Sequence, residues 1–68
     1  MRTTYRITLP GQTIDTSVAP SPLLLLVFPA WNGEPTEGRD NAIYVTFTSP
    51  QTPADLGPLV KVEELPSN

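Results

Sequence analysis

Residues 20–29 read Pro20-Ser21-Pro22-Leu23-Leu24-Leu25-Leu26-Val27-Phe28-Pro29, six apolar side chains in succession between prolines. A run of this length closed by proline at both ends is short for a helix and predicts a strand with both faces buried. In a chain of 68 residues a one-layer sheet has a single core to face. The second apolar face therefore needs a cover: a packed loop, a second sheet or another chain. Side chains alternate along a strand, so Leu23, Leu25 and Val27 are expected to face the chain's own core. Leu24, Leu26 and Phe28 are then left for a partner. The run is also apolar, uncharged and β-prone, and Pro22 and Pro29 stand at its ends as gatekeepers against aggregation.

On the N-terminal side, residues 1–9 alternate. Tyr5, Ile7 and Leu9 share one face and Thr4, Arg6 and Thr8 the other, the period of a half-buried strand. Pro10-Gly11 is a turn pair, so Gln12–Ser17 is expected to return around Ile14 as the second strand of a hairpin. Val18–Pro22 reads as an extended, proline-stiffened approach to the apolar run.

On the C-terminal side, residues 29–41 read as a long polar loop with one large apolar side chain, Trp31. Loops of about 12 residues or more in a small domain tend to be functional or disordered. Ala42–Thr48 alternates again, with Ile43, Val45 and Phe47 on the inward face and Tyr44, Thr46 and Thr48 outside. Ser49–Pro58 is expected to hold one helical turn, capped by Thr52, opened by Pro53 and stopped at Gly57. Leu59–Leu65 supplies a last strand, with Val60 and Val62 sharing a face, and residues 66–68 are expected to fray. Nine prolines along the chain exclude long helices. The sum is one all-β domain over residues 1–68. It is expected as a small antiparallel barrel or sandwich of four to five short strands, with proline-rich connectors and at most one helical turn.

Composition narrows the chemistry. The chain has no Cys and no His, so disulfides, thiolate metal sites and the commonest neutral-pH base are all missing. Glu34, Glu37 and Asp40 recur at three-residue spacing, but without the alternating ligands and central Gly of a calcium loop. Arg39 beside them neutralises part of their charge, and a solvated acidic loop is the expected outcome. Glu63 and Glu64 are adjacent and fall on opposite faces of a strand. Gly33 and Gly38 are followed by no Gly-Lys-Ser/Thr sequence, so no phosphate loop is expected. Ser17, Ser21 and Ser49 have no neighbouring base. The expectation is a protein that is not an enzyme, with no catalytic residues, cofactor, metal or small-molecule substrate.

Four basic residues stand scattered against seven acidic ones, for a net charge of −3, which argues against nucleic acid and anionic membrane surfaces as partners. Six apolar residues are far short of the ~20 that a membrane span requires. The run also lies too far from the N-terminus for a secretory h-region. The expected location is cytoplasmic, or within an assembly, such as a virion, built in the cytoplasm.

These readings converge on protein–protein interaction. The expected function is that of a structural accessory protein, stabilising a larger assembly through a protein partner or self-association, as a virion decoration protein, a minor capsid protein or a small complex subunit does. The alternative is a small acidic inhibitor or adaptor acting on one enzyme. The candidate partner-binding residues are Leu24, Leu26, Phe28, Trp31 and Tyr44. Trp31 fits either a core position or an interface anchor, and Tyr44 fits either a surface tyrosine or an interface residue.

Overall fold

Thr3–Thr8 forms β1, and its alternation is realised side chain by side chain: Thr3, Tyr5 and Ile7 are buried while Thr4, Arg6 and Thr8 are half-buried on the other face. The computed structural model describes residues 2–17 and 19–66. After β1 come α1 (Ser21–Val27), β2 (Thr36–Arg39), β3 (Ala42–Phe47), a 3₁₀ turn (Gly57–Leu59) and β4 (Lys61–Leu65). The strands form one antiparallel sheet in the order β2-β3-β1-β4. The all-β expectation therefore holds in its coarser form: the chain is mostly strand, in one four-stranded antiparallel sheet. It is not a closed barrel, and the second layer is a helix with its flanking segments. Ser67 and Asn68, where fraying is expected, lie outside the described residues.

The principal correction concerns the apolar run, which is helical and not a strand. Leucine is a good helix former, and Pro22 sits in the first helical turn, where a missing N–H breaks no bond. Pro29 stops the helix one residue later by forcing Phe28 out of the helical region (φ −126°, ψ 87°). Prolines that look like the fences of a strand are thus the start and stop of a two-turn helix. The buried residues confirm the period: Leu24, Val27 and Phe28 stand at i, i+3 and i+4.

These three pack with Tyr5, Ile7, Ile43, Val45 and Phe47 as the core, flanked by Ile14, Leu23, Trp31, Leu56, Val60 and Val62. Tyr5 and Phe47 are in edge-on contact at 5.8 Å, and both lie 5.0 Å from Phe28. The Tyr5 hydroxyl donates to the Gln51 carbonyl (2.9 Å) and accepts from the Gln51 N–H (2.6 Å). The connector is further tied to α1 by Ala54 N–H donating to the Val27 carbonyl (2.7 Å).

Three local expectations change. The Pro10-Gly11 turn forms, with Gln12 N–H donating to the Leu9 carbonyl (2.9 Å) and Gly11 at φ +76°. Gln12–Ser17 nevertheless does not pair with β1, because β3 and β4 already occupy both of its edges. Within residues 29–41, where a loop is expected, Thr36–Arg39 is strand β2. It is joined to β3 by a two-residue turn in which Asp40 and Asn41 both take positive φ (52° and 56°), the hairpin geometry these residue types favour. The helical turn expected around Thr52–Gly57 begins instead at Gly57.

Asn41 also anchors the segment that failed to become a strand. Its side chain accepts from Ile14 N–H (2.6 Å) and donates to the Gln12 carbonyl (3.1 Å), as a strand neighbour would. Nearby, Gly38 leaves room for Thr16: a Cβ at Gly38 would stand 2.7 Å from the Thr16 Cβ. Further along this segment, Asp15 Oδ1 accepts from the Ser17 hydroxyl and N–H.

Three outcomes are expected. Tyr5→Phe strands the paired groups of Gln51 and should lower stability by about 1–3 kcal/mol, read from urea unfolding, with faster exchange of the Gln51 amide. Gly38→Ala should cost about 1–3 kcal/mol through overpacking, and adding Thr16→Gly should recover part of that loss; full stability in Gly38→Ala alone would mean that Thr16 does not pack there. The Ser17 hydroxyl, and then the Ser17 N–H, hold the Asp15 pKa below its ordinary value. That contribution is complete above the unfolded Asp pKa and is lost as pH falls through the lowered folded value. Wild type should therefore exceed Asp15→Asn in stability at neutral pH, the gap closing on acidification, measured by unfolding across an acid pH series.

Candidate functional site

Because α1 turns Leu24 and Val27 inward, with Phe28 following them, the helical period turns Pro22, Leu25 and Leu26 outward at i, i+3 and i+4, and Pro29 follows just beyond the helix. All four are exposed, with Leu25 at 48% and Leu26 at 62% of full accessibility. No charged residue occurs between Asp15 and Glu34, so this apolar ridge has no charged side chain of its own segment to screen it. Isolated surface leucines are ordinary, whereas a contiguous apolar stripe on a small protein is a feature of interaction surfaces.

The sequence candidates separate on the structure. Leu24 and Phe28 lie in the core and have no surface to offer a partner. Leu26 stands on the exposed ridge. Trp31 is half-buried against the core, its Nε1 donating to the Glu34 carbonyl (3.3 Å). Tyr44 is half-buried on the face of the sheet opposite α1, beneath the Arg39 guanidinium at 4.1 Å from its ring centre. Leu26 and Tyr44 therefore belong to opposite sides of the molecule. Strand alternation places Leu25 in the core, yet it is exposed; helical spacing counted from Pro22 finds it.

The face of the sheet away from α1 is polar and internally paired. Thr4 Oγ1 and Thr46 Oγ1 share a hydrogen bond (3.0 Å), and Arg6 Nη1 donates to Glu63 Oε1 (2.8 Å). Arg39 reaches Glu37 (3.3 Å) and Asp40 (3.0 Å). Of the three acidic residues at regular spacing, Glu37 and Asp40 thus share Arg39, while Glu34 Oε1 accepts from Asn32 N–H (2.7 Å). Among the described residues no three carboxylates gather into a potential metal site. A shallow cleft bounded by Pro35, Thr36, Glu37, Arg39, Tyr44 and Leu65 opens on this face.

Among the described residues no helix is long and apolar enough to cross a membrane. Comparison with protein-family models, curated proteins and solved structures gives no match to this chain.

Proposed function

We propose that this chain is a small, non-enzymatic accessory subunit that docks on a larger protein assembly and stabilises it. The supporting observation is the exposed apolar ridge of α1, formed by Pro22, Leu25 and Leu26. The surface it fits is an apolar, uncharged groove, since the ridge lies in a segment without charge and would leave a buried ion on the partner unpaired. A helix laid ridge-down into such a groove is a common mode of recognition. A multi-subunit shell, of the kind a virion decoration protein reinforces, is one setting for it. Charge recognition by an acidic inhibitor or adaptor has less support, because Glu37, Asp40 and Glu63 are already paired with arginines of the same chain.

The reading is tested with Leu25→Ser/Leu26→Ser. Both side chains are substantially exposed, so the double variant should stay within about 0.5 kcal/mol of wild type for each site. Leu24→Ala, in the core, should cost about 2–5 kcal/mol. In extract of the producing cells, wild type should sediment with a large assembly, and the folded double variant should sediment apart from it. Wild type sedimenting free, or a double variant still bound, would overturn the proposal.

A further inference from the structure

The sheet order leaves two edges, and they differ. β2 is four residues long, follows directly on Pro35, and contains Gly38, against which Thr16 packs. β4 is five residues long with neither proline nor glycine, and extended backbone already begins at Val60 (φ −135°, ψ 130°). One side of β4 is paired with β1 from Thr8↔Lys61 to Thr4↔Leu65. Among the described residues no strand lies on its other side.

We propose that β4 pairs with β4 of a second copy, antiparallel about a two-fold axis through Val62, joining two sheets into one of eight strands. Charge and face alternation select this occupant and register. For both helical layers to lie on the same side of the joined sheet, the axis must pass through a residue that opposes its own copy. An axis through Lys61, Glu63 or Glu64 sets like charges directly opposite, which destabilises a sheet. An axis through Leu65 draws Pro66, which has no N–H, into the ladder.

Val62 is free of both faults. About it, Lys61 of each copy opposes Glu63 of the other, Val62 meets Val62, and Val60 opposes Glu64. The next step brings Leu59, 72% exposed at the end of the 3₁₀ turn, toward Leu65 of the second copy. Glu63 would then lie between its own Arg6, at 2.8 Å, and Lys61 of the second copy. Charges on an edge strand usually repel other sheets; here, with both helical layers on one side, the same charges favour the register centred on Val62. This inference does not depend on the docking reading: it concerns the edge of the sheet and not the α1 ridge.

The test uses sedimentation equilibrium with cross-linking. Wild type should reach twice the monomer mass as concentration rises. Lys61→Glu and Glu63→Lys should each weaken self-association on the order of tenfold or more, while an equimolar mixture of the two should associate again, because their charges are complementary across the axis. The chain has no cysteine, so Val62→Cys introduces a single thiol. Directly opposed residues of an antiparallel pair lie about 4.5–5.5 Å apart, within disulfide reach, and oxidation should give a covalent dimer, whereas Glu37→Cys on β2 should not. Should Glu63→Lys unfold through loss of the Arg6 pair, Lys61→Glu and Val62→Cys still decide. A wild type that stays monomeric at sub-millimolar concentration would overturn the proposal, as would a dimer unaffected by Lys61→Glu and not cross-linked at position 62.

Discussion

The contact among Tyr5, Phe28 and Phe47 is the interaction on which the rest of the structure depends. One ring comes from the central strand, one from the end of α1 and one from the end of β3, with centroids 5.0–5.8 Å apart. Aromatic side chains bury much area for few rotatable bonds, which a chain of 68 residues needs when it has no disulfide to restrain its unfolded state. Tyr5 adds a second function. Its hydroxyl, donating to and accepting from Gln51, holds the connector that follows β3 against the core. Helix, sheet and crossover are thereby tied at one residue.

Strands β1, β3 and β4 were legible in the sequence because each alternates over a stretch long enough to establish a period of two. Ile43, Val45 and Phe47 face the core and Tyr44 and Thr46 do not, as their spacing implies. β2 was not legible, since Thr36, Glu37, Gly38 and Arg39 carry no apolar pattern and all four are exposed. It is a strand because the Asp40-Asn41 turn folds it back onto β3. The apolar run misleads for a different reason. Four successive leucines carry no periodicity, so strand and helix are equally compatible with hydropathy alone. The discriminating signals were leucine's helix preference and Pro22's place in the first turn, and these are properties of backbone geometry. The candidate site inherits that error: a period of two assigns Leu24 and Phe28 to the surface, a period of 3.6 assigns Leu25 and Leu26 there, and only Leu26 is common to both.

A single sheet covered on one side leaves three kinds of surface, each handled differently. The open face is polar, and its charges are largely consumed within the chain, Arg6 by Glu63 and Arg39 by Glu37 and Asp40. Exposed pairs of this kind contribute little stability, but they leave few unpaired charges on that face. The β2 edge is short and abutted by Thr16. The β4 edge is longer, and its alternating Lys61 and Glu63 give it a pattern that reads the same from both copies of an antiparallel pair.

The α1 ridge is the surface that folding alone does not explain. A helix of two turns lying on a sheet can bury one stripe of its circumference, and Leu24, Val27 and Phe28 fill that stripe. Nothing in the core requires the opposite stripe to be apolar. Polar helix formers at positions 25 and 26 would serve the helix as well and would lower the risk of aggregation. An all-leucine run therefore carries a liability that the fold does not need. That surplus of apolar surface, set beside a core already complete without it, is the physical basis of the proposal that the ridge meets a partner.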